Sequence, residues 1–536
     1  MVRFDDKKIL IIDDFKEFRQ TLVKMIESMG AHDIDDSPNG DKAIEMSTFK
    51  PYDVFLCDYN LGGDKKDGQQ VLEELKFRKL IKFSSVYIMV TAENTMRMVM
   101  GALEYKPDDY LTKPFTKEIL KNRIVKILSK KIDFAKIEKA IQNNEYLAAI
   151  KLCDNKIEEK PGNIMEFIKL KGELLITVGD YEKAGKLYEE VLEMRNIPWA
   201  TLGYGKTNYF KGNYNEAKEI FQTLIQDNQM LLEAYDWLAK CYEALGEGDL
   251  SQKVLMKGVE ISPKAILRQR ELGKISYKNK DYNVAEQSYK EAVNLGKTSC
   301  FKNNSDYTSL AKVHIETNSV EKALKILKEA KKEFKNKDEA LIETSIVESL
   351  AYKKAGNEEE AKKSLKTAIE KYTALNGNIS SHLALEMSKA QLVLGNKEEG
   401  SKLLKSVIRN NHDDEKVIKE AQGIFNEANM KEEGQEIINS TRKEIVQLNN
   451  DGVKLVQDGK LKEAIDYFDI AANALPDNKI INANAAQSIL MYIQKNGRDL
   501  RMLKQAEKFL NRVRNLDPFY MKYQNLLMIY EKYMEQ

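Results

Sequence analysis

A small residue recurs at nearly constant spacing through the middle of the chain, and this periodicity constrains the fold more than any other feature. The clearest positions are Ala149, Ala184, Ala217, Ser251 and Ala285. Successive positions are separated by 35, 33, 34 and 34 residues (184 − 149, 217 − 184, 251 − 217 and 285 − 251). Such a period indicates a stack of short units, each too small to bury its own apolar face, so that neighbouring units share one continuous core.

The residues around each small position are typical of a pair of helices. A glycine twelve residues earlier lets two helices approach closely, and an aromatic residue four positions later fills the gap to the next unit. Gly172 and Tyr188 flank Ala184 in this way, and Gly205 and Phe221 flank Ala217. The pattern resembles the tetratricopeptide repeat. The resemblance implies an all-α superhelical solenoid whose long concave face holds a peptide or helix of a protein partner.

The same pattern continues to the end of the chain, with less regular spacing in the middle. Further units are marked by Ala323, Ala361, Gly400, Gly434, Ala464 and Ala506. We predict a repeat domain over residues 130–536, with about eleven repeats and a capping helix after Pro518. The pattern does not identify the partner-binding residues. Trp199 and Trp237 are candidates for anchoring a partner, although we favour a core position for Trp237.

The first 130 residues have a different pattern, in which apolar runs alternate with segments of helical periodicity. This alternation predicts an α/β domain over residues 1–129, a doubly wound, parallel, five-stranded sheet. The predicted strands are 8–12, 31–36, 54–58, 85–91 and 109–112. The predicted helices are 15–29, 40–49, 69–80, 95–104 and 116–129.

Polar side chains stand where four of these strands end. Asp13 and Asp14 follow the first strand, Asp58 ends the third, Thr91 ends the fourth and Lys113 follows the fifth. Because the carboxyl ends of parallel strands meet at one edge of the sheet, we expect these groups to converge. Three carboxylates together require a cation, and Mg²⁺ accepts such oxygen ligands. The set suits an aspartate that attacks a phosphoryl group while Lys113 offsets the charge.

These residues resemble the receiver domain of two-component response regulators over residues 5–129. The resemblance implies a flavodoxin-like fold, in which Asp58 accepts a phosphoryl group from a histidine kinase or a phosphotransfer protein. It also implies that Mg²⁺ is held by Asp13 or Asp14, Asp58 and the carbonyl of Asn60. By the same resemblance, Thr91 and Tyr110 form a switch pair, and Lys113 stabilises the phosphoryl group. Pro114 is expected to follow Lys113 through a cis peptide bond.

Two features of the site depart from or refine this pattern. Gly68 lies ten residues after Asp58 (68 − 58), about two more than is usual, so the loop 61–67 is enlarged. It could contact the kinase or the C-terminal region, but we favour a tolerated surface insertion. Asn60 and Glu93 match residue types of fast-dephosphorylating chemotaxis receivers, which predicts a short-lived phosphoryl group.

Composition narrows the functional class. Lys and Arg total 85 and Asp and Glu 84, so a net charge of +1 gives no general attraction to nucleic acid or anionic membranes. No apolar run approaches the length of a membrane span, and the first residues lack a signal-peptide core. The scattered cysteines (Cys57, Cys153, Cys241, Cys300) are expected to be reduced, mostly buried thiols. We therefore expect a cytoplasmic protein.

The resulting hypothesis is a response regulator without an enzymatic output. The state of Asp58 would control the protein–protein interactions of the repeats, and the protein could form a homodimer. One alternative is a phosphate sink or competitor that modulates a kinase shared with another regulator. A second alternative is a scaffold whose receiver is vestigial.

Overall fold

The structure is a computed structural model that describes residues 3–62, 66–82, 84–92, 107–375 and 379–534. The chain divides into two compact units. The first comprises residues 1–144, 148–176 and 180–303, and the second comprises residues 145–147, 177–179 and 304–536. The predicted helix 95–104, with its three methionines, lies outside the described residues.

A five-stranded parallel sheet forms the N-terminal part of the first unit. Its strands are β1 (Lys8–Ile12), β2 (Asp33–Ser37), β3 (Val54–Asp58), β4 (Val86–Thr91) and β5 (Asp109–Thr112). They lie in the order β2-β1-β3-β4-β5. The register pairs Ile12 with Cys57 and Asp58 with Val90, so β1, β3 and β4 end close together. The predicted α/β fold is confirmed.

Helices cover both faces of this sheet. They are α1 (Lys16–Glu27), α2 (Gly40–Phe49), α3 (Gly68–Phe77) and α4 (Lys117–Ile132). One core joins α1 and α4 to the sheet and includes Leu22 and Ile124, while the other joins α2 and α3 and includes Ile44 and Val71. Both faces bury side chains of the central strands, which are mainly apolar apart from the polar residues at their ends, as expected for a parallel sheet.

Helices, of which only the terminal residues Tyr146, Leu147 and Thr177 belong to the second unit, follow one another through the rest of the first unit. They are α5 (Ala135–Gln142), α6 (Tyr146–Glu158), α7 (Ile164–Thr177), α8 (Tyr181–Met194), α9 (Pro198–Phe210), α10 (Tyr214–Asp227), α11 (Leu232–Ala244), α12 (Gly248–Ile261), α13 (Ile266–Lys278) and α14 (Tyr282–Gly296). The Phe134 ring, just before α5, stacks on Phe167 of α7 at a centroid distance of 4.2 Å. The predicted boundary at residue 129 falls inside α4.

Glycine–aromatic contacts hold neighbouring helix pairs together. Tyr188 of α8 lies against Gly172 of α7 and Gly203 of α9, and a Cβ on either glycine would come closer than 3.0 Å to its ring. Gly205 and Phe221 repeat this arrangement in the next pair. The aromatic residue thus occupies the space that the missing side chain leaves, both within its own pair and toward the next, as the periodicity predicts.

The second unit contains the remaining helices. They are α15 (Asn304–Glu316), α16 (Val320–Glu333), α17 (Asp338–Lys354), α18 (Glu358–Ala374), α19 (Ser381–Val393), α20 (Lys397–Asn410), α21 (Glu415–Glu427), α22 (Lys431–Gln457), α23 (Leu461–Ala474), α24 (Lys479–Asn496), α25 (Leu500–Leu516) and α26 (Met521–Met534). Consecutive helices pack against one another along this series. The all-α repeat fold is confirmed, whereas the number of repeats stays a prediction.

The helix α22 is the longest of the described helices, at 27 residues. Its first half contacts α21, where Gly434 approaches Phe425, and its second half contacts α23, where Gly452 approaches Phe468. One continuous helix therefore takes part in two successive helix pairs.

Two expectations from composition can be compared with the structure. All four cysteines are free, and three of them are buried. Among the described residues, no helix is both long enough and apolar enough to cross a membrane.

Candidate functional site

Three carboxylates converge at the carboxyl edge of the sheet. Asp13 and Asp14 directly follow β1, and Asp58 is the last residue of β3. Each offers an oxygen atom, and these atoms lie within 4.8 Å of one another. Asp13 is only 1% exposed, whereas Asp14 is open to solvent. The donor set fits a hard divalent cation that keeps some of its water, as Mg²⁺ does.

Lys113 joins this cluster from the loop after β5. Its Nζ donates to Asp13 Oδ2 at 2.8 Å and to Asp58 Oδ2 at 2.7 Å. The ammonium also lies 4.1 Å from the centroid of the Phe18 ring. The Lys113 backbone N–H donates to the Thr91 carbonyl at 2.8 Å, and the Lys113–Pro114 peptide bond is cis. One cation is therefore fixed between two of the three carboxylates.

Burial and charge oppose each other at this edge. Burial raises the pKa of the Asp58 carboxyl, and the charge of Asp13 adds to the increase, against the hydrogen bond from Lys113. Burial also disfavours the charge on Lys113, but its hydrogen bonds to Asp13 and Asp58 outweigh this and raise its pKa. Lys113 is thus a permanent cation at neutral pH, while the negative charge of Asp58 is held at an energetic cost.

The backbone of Asp13 is held by a helix residue that the sequence analysis missed. Arg19 of α1 donates from Nη1 to the Asp13 carbonyl at 2.7 Å and from Nε to Asp36 at 2.6 Å. Its side chain is largely buried although it is charged. A signal existed, because Arg19 lies on the same helix face as the core residues Leu22 and Ile26. A basic residue on an apolar stripe indicates an internal partner.

Of the remaining predicted residues, Asn60 lies beside the Asp58 carboxylate, whereas Thr91 lies on β4 and Tyr110 on β5. The Asn60 N–H lies 3.4 Å from Asp58 Oδ1. Thr91 is buried at the end of β4, one residue past the partner of Asp58. Tyr110 lies on β5 opposite Met89 and packs on the α2–α3 side of the sheet. Glu93 lies outside the described residues. The functional roles of Asn60, Thr91, Tyr110 and Glu93 stay predictions.

The first turn of α3 packs directly against the backbone of Asp58. A Cβ on Gly68 would meet the Asp58 carbonyl oxygen at a distance that real side chains do not show. The Gly68 N–H donates to the Tyr59 carbonyl at 2.8 Å, and the Tyr87 hydroxyl donates to the Gly68 carbonyl at 2.8 Å. Only glycine fits here, which explains its position after the enlarged loop.

The end of the enlarged loop contacts the repeats within the first unit. Lys264 donates to Asp67 Oδ2 at 3.2 Å, and Gln70 of α3 donates to the Thr298 hydroxyl at 3.0 Å. The alternative interpretation, a contact of the loop with the C-terminal region, is therefore observed at Asp67, while the favoured interpretation of a tolerated surface insertion stays a prediction. Residues 63–65 of the loop lie outside the described part of the chain. The contact depends on a residue 197 positions away, for which the local sequence holds no signal.

The two tryptophans contact aromatic residues of the repeats. Trp237 lies among Tyr209, Phe210 and Phe221, and Lys240 lies over its ring at 4.1 Å. Trp199 contacts Tyr188 edge-on at 6.3 Å. A cavity of about 500 Å³ lies between α11 and α13, lined by charged residues that include Asp236 and Arg268. The preference for a core role of Trp237 agrees with these contacts.

Comparison with known families and proteins matches two parts of the chain. The response regulator receiver domain family matches residues 9–125, and the tetratricopeptide repeat family matches residues 170–197 and 232–264. Chemotaxis protein CheY of Pseudomonas aeruginosa is 29% identical over 123 residues, which are 23% of this chain and 97% of that protein. CheY-3 of Vibrio cholerae is 28% identical over 123 residues, 23% of this chain and 92% of that protein.

Solved structures also match parts of the chain. A two-component response regulator from Clostridium difficile is 31% identical and covers 23% of this chain and 97% of its own, with a TM-score of 0.21. A structure described as a MamA RS-1 ArsTM double mutant is 18% identical and covers 31% of this chain and 94% of its own, with a TM-score of 0.27.

Proposed function

Because this chain carries a response regulator receiver domain joined to tetratricopeptide repeats, we propose that Asp58 accepts a phosphoryl group from a histidine kinase or phosphotransfer protein. The phosphorylation state then controls which protein the repeats bind. The observation that carries the proposal is the convergence of Asp13, Asp14 and Asp58 with the Lys113 ammonium at one edge of the sheet.

The chemistry follows from the charges of these residues. An Asp58 carboxylate oxygen attacks the phosphorus of a phosphohistidine, the N–P bond breaks, and an acyl phosphate forms while the imidazole takes a proton from solvent. Lys113 moves one hydrogen bond from Asp58 to a phosphoryl oxygen. Asp13, Asp14, Asp58 and the Asn60 carbonyl would hold Mg²⁺, and the bound ion would supply positive charge that offsets the carboxylates and the phosphoryl oxygens. The receiver catalyses only its own phosphorylation and dephosphorylation, and Asn60 and Glu93 favour a short-lived phosphoryl group.

The output is a protein contact and takes place in the cytoplasm, where free cysteines persist. The helix pairs supply stacked surfaces of the kind that hold a peptide or helix. A homodimer is compatible with this role. Neither nucleic acid nor a membrane is part of the proposal, because the chain carries almost equal numbers of positive and negative charges.

The phosphorylation half is tested on the full chain with acetyl phosphate and Mg²⁺. Intact mass should increase by one phosphoryl group in the wild type and should not change in Asp58→Asn. Asp5→Asn, which alters an exposed aspartate near the N-terminus, is the matched control and should label normally. An unlabelled wild type would refute the proposal and favour a scaffold with a vestigial receiver.

The output half is tested by isolating proteins bound to the full chain in its native cell, with wild type compared against Asp58→Asn. A partner whose affinity for the purified chain differs between the labelled and unlabelled states would support the proposal. Equal affinity in both states would refute control of binding. Transfer from the kinase to a second regulator, measured with and without this protein, would then identify a phosphate sink.

A further inference from the structure

We propose that the repeats sense the state of Asp58 through the N-terminus of α3, which is bound by Lys264 and by the segment Thr298–Phe301. On the receiver side, these contacts involve Tyr59, Asp67, Gln70 and Glu73. This inference rests on the proposed function, since it names the route by which phosphorylation reaches the repeats. All of the contacts involved lie within the first compact unit.

The first step of the route is the close packing of α3 against the backbone of Asp58. Gly68, the first residue of α3, abuts the Asp58 carbonyl so closely that not even a methyl group fits between them. Its N–H and carbonyl are held by Tyr59 and Tyr87. Close-packed groups transmit displacement rather than absorb it. A shift of the Asp58 backbone therefore moves the first turn of α3.

The second step is a pair of side chains, Asp67 and Gln70, each of which contacts both the first turn of α3 and the repeats. Asp67 Oδ1 accepts the Gln70 N–H at 2.9 Å and so caps α3, while Asp67 Oδ2 accepts from Lys264 at 3.2 Å. Gln70 Oε1 accepts the Asp67 N–H at 3.1 Å, while Gln70 Nε2 donates to the Thr298 hydroxyl at 3.0 Å. Each residue of this capping box uses one end to start the helix and the other end to hold the repeats.

The third step is the continuation of this contact along α3. Ser299 donates to Glu73 Oε2 at 3.2 Å, and the rings of Phe77 and Phe301 meet edge-on at 5.4 Å. Glu73 is only 7% exposed. A charged side chain is rarely so buried without partners. The repeat segment thus covers successive turns of α3, not its first turn alone.

Lys264 brings a positive charge to this surface. Its ammonium lies 6.0 Å from the centroid of the Tyr59 ring, and Tyr59 directly follows Asp58 in the chain. The segment 298–301 is in turn held to the repeats, because Arg270 of α13 donates to the Phe301 carbonyl at 2.9 Å. The route therefore ends in α13, one of the helices that line the cavity described above.

Coupling of this kind is reciprocal. If the state of Asp58 changes the free energy of the contact, then breaking the contact must change the affinity of Asp58 for a phosphoryl group or its analogue by the same factor. Coupling free energies in proteins usually correspond to about 5-fold to 150-fold changes in affinity. The affinity of the receiver site therefore reports on a substitution made in the repeats.

The test uses the full chain with three substitutions on the repeat side only, Lys264→Ala, Thr298→Ala and Ser299→Ala. Calorimetric titration with beryllofluoride, which mimics the phosphoryl group, in the presence of Mg²⁺ gives the dissociation constant of the analogue at Asp58. We expect a change of at least about fivefold relative to wild type. A double control, Lys257→Ala with Thr223→Ala, alters exposed residues of α12 and α10 and should leave the constant unchanged.

The possible outcomes separate the two proposals. Tight binding by the wild type with an unchanged constant in the triple variant would overturn the α3 route and leave the proposed function intact. A wild type that neither binds the analogue nor labels with acetyl phosphate would overturn both. A changed constant in the control as well as in the triple variant would also count against the route, because the effect would not be specific to the contact.

A second measurement does not require the triple variant to fold normally. Hydrogen exchange of the wild type, with and without beryllofluoride and Mg²⁺, should show altered protection of backbone amides in residues 66–78 and 298–303. Asp58→Asn should show no such change. Altered protection confined to residues near Asp58, with residues 298–303 unaffected, would refute the inference.

Discussion

The acidic edge of the sheet and the helical repeats use their residues in opposite ways. At the edge, three carboxylates face one another, and burial raises the pKa of Asp58, so its charge opposes folding. In the repeats, the Tyr188 ring occupies the space that Gly203 leaves free by having no side chain. The first arrangement holds unfavourable charge ready for a ligand, and the second only stabilises structure.

This difference predicts how the two regions respond to substitution. Residues at a site built from opposing charges can be removed with little loss of stability, while activity disappears. Residues in a stacked array each contribute to the interface with the neighbouring pair, so their loss lowers stability locally. Matched substitutions in the two regions therefore test this difference.

The largest expected effect is the separation of activity from stability at Asp58. Asp58→Asn should abolish labelling by acetyl phosphate and raise the free energy of unfolding of the receiver, or leave it unchanged. Any gain should be about 0.5–2 kcal/mol, because the substitution removes a buried charge. Intact mass measures the labelling. Urea unfolding, monitored at the backbone amides of the sheet, measures the free energy of unfolding of the receiver. A clear loss of stability would mean that the carboxylate holds the fold and would remove the contrast.

Substitution of Lys113 should weaken the chemistry without abolishing it. Lys113→Met keeps a long side chain over Phe18 but removes the cation that contacts Asp13 and Asp58. Loss of one preorganised electrostatic group lowers rates on the order of 10²-fold. The initial rate of labelling by acetyl phosphate at saturating Mg²⁺ measures this effect. An unchanged rate would show that Lys113 does not contact the transferring phosphoryl group.

The repeats should respond through packing alone. Gly203→Ala places a methyl group in the Tyr188 ring and should lower the free energy of unfolding by about 1–3 kcal/mol. The matched control is Gly423→Ala, also inside a helix, where a Cβ meets nothing within 4 Å. It should be stabilising by about 0.5–1 kcal/mol.

Urea unfolding monitored by circular dichroism at a helical wavelength measures both glycine variants. Labelling at Asp58 should be unaffected in either one, because neither glycine contacts the sheet edge. Equal destabilisation by the two substitutions would contradict the glycine–aromatic packing. A lower free energy of unfolding in Gly203→Ala together with a higher one in Gly423→Ala would show that the glycines of the repeat pattern mark positions where two helices approach closely.

The parts of the molecule that the sequence predicted have strong local signals. The strand that ends at Asp58 is an apolar run bounded by turns, and β1 carries its carboxylates next to a similar run, so the convergence at the sheet edge followed from topology. The repeat period likewise lies in the chain itself. The spacing alone predicts that Tyr188 and Phe221 fill the gaps between neighbouring helix pairs.

The parts that the sequence did not predict depend on distant partners. Lys264 is one of 85 basic residues, and nothing near it indicates that it meets Asp67. The continuity of helix α22 also lacks a local signal, because its two glycines, Gly434 and Gly452, each pack against the aromatic residue of a different neighbouring helix. The roles of Thr91 and Tyr110 stay predictions, because they concern a change of state.

The smallest expected effect is a dependence of repeat stability on pH, through His412. Asn478 caps α24 by accepting the Ile481 N–H at 3.0 Å, and its amide donates to the Arg409 carbonyl at 2.9 Å. This orientation places the same amide as a donor 3.2 Å from His412 Nδ1, which must then accept and lack a proton. Burial lowers the pKa of His412, and Arg442 adds to the decrease while Asp413 opposes it.

Because the pKa of His412 is lower in the folded state, its contribution to stability is present above the unfolded value of 6.5 and is lost as pH falls through the folded value. We expect a loss of at most about 1 kcal/mol, the range of one hydrogen bond. Urea unfolding of the repeats at pH 7.5 and pH 5 measures it. His412→Asn should reduce the difference between the two conditions, whereas His382→Ala, at an exposed histidine, should preserve it. If the wild type and His412→Asn lose the same stability on acidification, then His412 is not the group that titrates, and the sensitivity to pH belongs to the carboxylates on the surface.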